Sequence, residues 1–196
     1  CDSRYACLRL RHGTPVREEV DPEKPLSDQG HEEAAFTANG IMEYLKGQCE
    51  DAESRRALVL HSGKVRAEQT AEKISQVLEG AGWETFCEEH DGFQPNDDTK
   101  TGMQLLEVAA APVMIMVGHL PHMGFMAARM LNNPAAAGRL KGLFHPACGV
   151  MLHRTGDDWQ EAAEIPPGVS WWLEAPKPAP PQPPPKPQAE VEAAAA

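Results

Sequence analysis

The chain has 196 residues, 41% hydrophobic and 24% charged, with a formal net charge of −11 at pH 7. That length fits one domain with a substantial interior. The acidic balance excludes an extended nucleic-acid surface, which needs a basic footprint, and no apolar run approaches the roughly 20 residues of a membrane-spanning helix. The five cysteines (Cys1, Cys7, Cys49, Cys87, Cys148) are scattered and form no C-x-x-C pair. Such an odd set reads as reduced thiols of a cytoplasmic protein. The chain starts at Cys1, which reads as a fragment or a domain of a longer chain in preference to a lipid-anchored cysteine. No signal peptide is visible.

The first predicted strand is "YACLRL" at 5–10, and it runs into "RHG". Ser27 then suits the cap of a helix that carries Ala34, Ala35, Ala38, Ile41, Met42 and Leu45 on one side and stops at Gly47. "ALVL" at 57–60 is continuously apolar, as expected of a strand covered on both faces. Ala67, Ala71, Ile74 and Leu78 follow with the spacing of one helix face, ended by Gly80 and Gly82. "WETFCEE" at 83–89 reads as a further strand, and a helix is expected over 99–110, closed by Pro112. "VMIMV" at 113–117 is the second fully apolar strand. Pro121 suits the first turn of the next helix, where Met123, Met126, Ala127 and Met130 read as core filler. "CGVMLHR" and "DWQEAAE" flank Thr155-Gly156-Asp157 as a hairpin.

This alternation of strands and helices predicts an α/β domain around a largely parallel sheet. Its expected span is 3–173, closed by Trp171 and Trp172 packing back on the body. Residues 174–196 read as a disordered proline- and alanine-rich tail of polyproline-II character. It is a plain linker or tail, with an SH3-like groove as the alternative partner for its P-x-x-P spacings.

Three predicted strands end in loops that carry cationic or imidazole groups. The first brings Arg11, His12 and Gly13, the second His61, Ser62, Lys64 and Arg66, the third His119 and His122. Ligands of open α/β sheets bind at the carboxyl ends of the strands, so the three loops are expected to converge. Lys64 and Arg66 sit at a predicted helix N-terminus, where the macrodipole disfavours cations by a few tenths of a kcal/mol. An anion held there compensates, and phosphate is the usual one. Lys64 itself reads as a solvated loop lysine. Alone, Arg11 and His12 also fit a solvated strand end or a core histidine. His61 and His145 read as core or rim positions, and His31, His90 and His153 as surface or hairpin positions. His119 and His122 lack the context of a zinc pair.

Five segments resemble, in order, those of the histidine phosphatase superfamily, and especially its SixA-type phosphohistidine phosphatases. They are "LRLRHG", "PLSDQGHEEA", "VLHSGKVRAEQTAEKI", "DGFQPNDD" and "VMIMVGHLPHMGFMAARML". The resemblance implies a three-layer sandwich, a mostly parallel sheet with helices on both faces. It implies His12 as a nucleophile that forms a phosphohistidine, with Arg11, Arg66 and His119 binding the phosphoryl group and no metal or cofactor. Among the acids, Asp91 is favoured slightly as proton donor to the leaving group, with Asp97, Asp98, Glu18 and Glu19 as alternatives and Asp21 close by. The implied substrate is a phosphohistidine on a protein. A small phosphate monoester, or a silent phosphoprotein-binding module, are the alternatives. Two positions depart from the pattern. Arg9 stands where the family usually has an apolar residue, so it is expected to reach a partner or the sheet edge, and Gly63 stands where proline is frequent.

Overall fold

The computed structural model describes residues 6–46, 48, 54–108, 111–156 and 158–165. Six strands form one sheet: β1 (Ala6–Arg11), β2 (Arg56–His61), β3 (Glu84–Glu89), β4 (Val113–Gly118), β5 (Gly149–Thr155) and β6 (Asp158–Ile165). Their order across the sheet is β3-β2-β4-β1-β5-β6. The first four are parallel, and the β5–β6 hairpin adds two antiparallel strands beside β1. Gly156 turns the hairpin at φ +63°, where a side chain would be strained.

Side-chain alternation along β1 assigns the two cores. Leu8 and Leu10 pack on the layer made by α1 (Asp28–Lys46) and α2 (Val65–Gly80), against Ile41, Leu45, Ile74 and Leu78. Cys7 faces the opposite layer, made by α3 (Thr99–Val108), α4 (His122–Met130) and α5 (Ala137–Leu143), against Met116, Met123, Met126 and Phe144. The fold is therefore three layers, with β4 buried at every position. Ser27 caps α1 as expected, its hydroxyl accepting from the Gly30 amide at 3.1 Å. Pro121 forms the cap of α4.

Helix α5 and the short 3-10 turn before it, Pro134–Ala136, have no counterpart in the sequence reading. The helix has seven residues, two of them glycine, and buries only Leu140. Two glycines in so short a segment offset the propensity of its other residues, and it has no repeating apolar face.

The expected stops at Gly47 and Ala110, the turn residue Asp157, the packing of Trp171 and Trp172 and the whole 174–196 tail with its SH3-like partner lie outside the described residues. So do Cys1 and Cys49. Among the described residues Cys7, Cys87 and Cys148 are free thiols, and no helix is long and apolar enough to cross a membrane.

Arg9 does not reach the sheet edge, because β1 lies between β4 and β5, and among the described residues it forms no ion pair. It is 0% exposed. Its guanidinium meets the thioethers of Met116 and Met126 and lies 5.6 Å from the centre of the Phe93 ring, while Nε has no hydrogen bond. Thioether sulfur is a weak acceptor, and burial lowers the guanidinium to about 10, with Cys7 working against that fall. The group thus stays charged at neutral pH without a full set of partners. Arg9→Met keeps an unbranched stem and removes that charge. Apolar replacement of buried charges stabilises by up to about 1–4 kcal/mol. The expected result is a melting temperature higher by roughly 2–4 °C per kcal/mol gained. A lower melting temperature in a thermal scan would show that the cation–ring and sulfur contacts outweigh the desolvation.

Candidate active site

The carboxyl ends of β1, β2 and β4 bring the three loops together. The nucleophile loop is fixed by its backbone: the His12 amide donates to Gly118 O at 3.2 Å and His12 O accepts from the Ala147 amide at 3.1 Å. The Gly13 amide donates to Thr70 Oγ1 on α2 at 3.1 Å. The loop also touches the start of α1 closely. A Cβ on Gly13 would lie 2.7 Å from Gly30 O, and one on Gly30 would meet Thr14 O. Both glycines of the "RHG" and "LSDQG" segments are explained by that single approach.

His12 is 7% exposed, and its two ring nitrogens have different partners. Nδ1 lies 2.7 Å from Gly13 O. A carbonyl only accepts, so Nδ1 carries the proton. Nε2 then holds the lone pair, and Arg66 Nε donates to it at 3.2 Å. Both bonds require the same neutral tautomer. Burial lowers the imidazole to about 4; the Gly13 carbonyl opposes that, and the Arg66 and Arg11 charges add to it. The resting group is thus an unprotonated imidazole aimed at a guanidinium.

Arg66 lies in the first turn of α2, whose cap residue Lys64 makes no side-chain cap bond. The positive end of the helix macrodipole therefore faces the same space. Arg11 ends β1, and its Nη1 donates to Phe144 O, at the C-terminal cap of α5, at 3.2 Å. His119 follows β4 directly. Its ring centre is 4.8 Å from that of His12 at a 55° tilt, and its Nε2 shares a 2.6 Å hydrogen bond with Ser62 Oγ. Burial holds His119 down to about 3, with further lowering from His12, Arg66, Lys64 and Arg11. Two guanidiniums and two neutral imidazoles are thus gathered within electrostatic reach of one another.

Beside this cluster opens a cleft of about 420 Å³ whose lining includes Ser62, Lys64, Arg66, Gln94, Glu18 and Glu89. Gly63 lies on its wall at φ +75°, with the Glu89 carboxylate against its Cα. Proline, confined to negative φ, is excluded there, which accounts for the departure noted above. Gln94 donates to Ser62 O at 2.6 Å and so ties the loop after β3 to the site.

The acids divide differently from the sequence expectation. Asp91 is exposed and is not among the residues that line the cleft. Asp97 accepts from the Gln94 amide at 2.8 Å, and Asp98 from the Lys100 amide at 2.9 Å at the start of α3. Both are occupied in turn and cap geometry. Glu19 is exposed and not on the cleft wall. Glu18 is on the cleft wall, paired with Lys24. Glu89 is also there and has no counterpart in the sequence reading, because it reads as one more charge on an edge strand.

Other histidines separate from the cluster. His61 is buried, with Nδ1 accepting from the Gly63 amide at 3.3 Å. His122 is buried on the α4 side, its ring 6.4 Å from that of Phe93 and neither nitrogen hydrogen-bonded. Burial, then Arg9, lowers it to about 4. His31 is exposed, and His153 bonds Tyr44 at 3.0 Å.

No family model matches the chain, and no curated protein does. Solved structures do. The protein assigned as the phosphohistidine phosphatase SixA of Agrobacterium tumefaciens superposes with a TM-score of 0.60 at 21% identity, covering 84% of this chain and 98% of that one. A protein histidine phosphatase SixA complexed with tungstate gives 0.59 at 21% identity, over 83% and 96% of the two chains. A mycobacterial glucosyl-3-phosphoglycerate phosphatase complexed with VO3 gives 0.56 at 16% identity, over 82% and 97%. The likeness is one of fold, and it extends over nearly the whole of each neighbour.

Proposed function

We propose that this chain, which has the fold of the histidine phosphatases, is itself a phosphatase that works through a phosphohistidine on His12. The observation that carries the proposal is the hydrogen-bonding of His12: Nδ1 bound to Gly13 O and Nε2 turned toward Arg66. That is the protonation state and direction an imidazole nucleophile needs. The tungstate and VO3 of the neighbours are oxyanions, as a phosphoryl group is, and Arg66 and Lys64 on the cleft wall, with Arg11 within electrostatic reach of His12 and His119, supply the positive surroundings such a group needs.

In the first step Nε2 attacks phosphorus, the bond from phosphorus to the leaving oxygen or nitrogen breaks, and the phosphoryl group moves to His12. Arg66 must let go of Nε2 and turn its donors to the phosphoryl oxygens. Arg11 and Arg66 then balance the equatorial charge, and His119 adds a donor from the other side. In the second step water attacks the phosphohistidine, phosphate leaves and the lone pair returns to Nε2. Proton donation to a poor leaving group falls to Glu89 on the cleft wall in preference to Asp91, which does not line it; Glu18 is drawn toward its ionised form by Lys24 and has no proton to give. Imidazole is a good leaving group and needs less of such help.

The substrate favoured is a phosphohistidine carried by a protein. Two SixA structures superpose on the chain at TM-scores of 0.60 and 0.59 with 21% identity, a little better than the 0.56 and 16% of the glucosyl-3-phosphoglycerate phosphatase. A small phosphate ester is the second reading, favoured by the likeness to the glucosyl-3-phosphoglycerate phosphatase.

The test is a rapid alkaline quench of the purified chain mixed with labelled phosphohistidine protein or aryl phosphate. Acid-labile, base-stable label on His12 is the expected result, with turnover that survives excess EDTA because the two arginines occupy the electrophilic role. Label on a cysteine or carboxylate, or loss of turnover with the chelator, would overturn the proposal. The ratio of kcat/KM for the two substrates decides between the readings.

A further inference from the structure

Glu33 takes no part in the chemistry just described, yet it is a carboxylate only 3% exposed. It lies on the inner face of α1, among Gly30, Ala34, Thr37 and Ala38. A buried carboxylate is costly unless its lone pairs are used, and here they are. Oε2 accepts from the Thr14 amide at 2.8 Å. Oε1 accepts from Thr14 Oγ1 at 2.9 Å and from Gln29 Nε2 at 2.7 Å. Thr14 is thereby gripped by its amide and its hydroxyl together. Its carbonyl accepts in turn from the Ser27 amide at 3.0 Å and the Ser27 hydroxyl at 2.9 Å.

The grip lies one peptide beyond the nucleophile. Gly13 joins His12 to Thr14, and it is Gly13 O that takes the Nδ1 proton of His12. Gly13 has no side chain to limit its rotation, so its carbonyl is aimed by what holds its two ends. The Gly13 amide is held by Thr70 from α2, and the following residue by Glu33 from α1. Glu33 is also within electrostatic reach of Arg11 and favours its charged form.

From this arrangement we infer that Glu33 is a positioning residue: by clamping Thr14 it aims the Gly13 carbonyl and so fixes the reactive tautomer of His12. The inference rests on His12 being the nucleophile.

Glu33→Gln keeps the size and one acceptor oxygen but turns the other into a donor, so it no longer accepts from the Thr14 amide and hydroxyl with two separate oxygens. The Gly13 carbonyl is then free to swing, and His12 divides between two tautomers. A loss of alignment of about 1 Å costs on the order of 100-fold in rate, and that fall is expected in kcat. Tungstate inhibition should change by less than about threefold, or tighten, because Arg11 loses a competing negative charge. Nitrogen-15 NMR of the full chain should show the single Nδ1–H form of His12 give way to a mixture. Thr14→Val, which removes the hydroxyl donor, should move kcat and the spectrum in the same direction, and Thr14→Ser should restore both.

Wild-type kcat in Glu33→Gln, an unchanged His12 tautomer, or kcat and tungstate affinity falling in equal proportion would overturn the inference. Lost folded protein would lower the apparent kcat and leave tungstate affinity unchanged, so kcat is normalised to the tungstate-binding stoichiometry of each variant before the comparison. The NMR arm does not depend on turnover. A tautomer shift on Glu33→Gln, found where the wild-type chain shows no phosphatase activity, would therefore sink the functional reading while leaving the role of Glu33 standing.

Discussion

His12→Ala is expected to lower kcat by on the order of 10⁵-fold or more, the scale of loss when a covalent nucleophile is deleted. The same variant should still bind tungstate, because Arg11, Arg66 and His119 remain. It should also fold. His12 contributes little apolar packing, and its backbone bonds to Gly118 and Ala147 do not depend on the ring. The comparison to make is the wild type and the variant side by side, in single-turnover kinetics and in tungstate binding by calorimetry. Residual turnover within about tenfold of wild type would assign the chemistry to another group and reduce His12 to a phosphate contact. Loss of tungstate binding with an intact fold would show that the imidazole is itself the main anion ligand.

The converging loops were readable from the sequence for a simple reason. Continuous apolar runs such as "VMIMV" mark strands buried on both faces, and the polar residue that ends such a run has to sit at a sheet edge. Arg11, His12 and His119 are placed by that rule; Arg66 comes one step later, in the first turn of the helix after β2, and lies beside them. Ser62 was visible as a member of the second loop, but its hydrogen bond to His119, like that of Thr70 to the Gly13 amide, is set by the approach of chains distant in sequence. A hydroxyl carries no positional signal of its own, and its partner is set by packing.

Glu33 did leave a trace. Gly30, Thr37, Ile41 and Leu45 share the inner stripe of α1, and a carboxylate at the third position from Gly30 falls within that stripe. An acid on a buried helix face has to have partners. Reading the face by burial, and not only by its apolar members, would have singled it out. Asp91 shows the opposite limit. Its place in a motif suggested a role, but which residues of a turn line a cleft is set by the fold, and Asp91 is exposed and is not among the residues that line it. Arg9 shows a third. The rule that a buried cation finds a carboxylate is a tendency, and here the space was filled by thioethers and an aromatic ring.

Arg66→Ala is expected to weaken binding and rate together, unlike His12→Ala. A guanidinium contact to an anion contributes about 1.5–3 kcal/mol, so tungstate affinity should fall by roughly 10- to 100-fold. Deleting a donor that also meets the charge developing in the transition state costs about 10²–10³ in kcat, so kcat/KM should fall by more than the affinity does. The pH dependence carries a second signature. Burial is the main reason the His12 imidazole lies near 4, and the Arg66 and Arg11 charges push it the same way. A lowered imidazole pKa means the nucleophile is neutral above that value and is lost by protonation only as pH falls through it. Without Arg66 one of the opposing positive charges is gone and imidazolium becomes easier to form. The acid limb set by His12 should therefore move up toward 6.5, so that the deficit of Arg66→Ala is larger at pH 5 than at pH 8. Titration of the substrate phosphate is common to both proteins and cancels in the ratio of their kcat/KM values. A ratio flat from pH 5 to 8 would mean that Arg66 does not act on the His12 lone pair, and that the 3.2 Å bond between them has no part in keeping the nucleophile unprotonated.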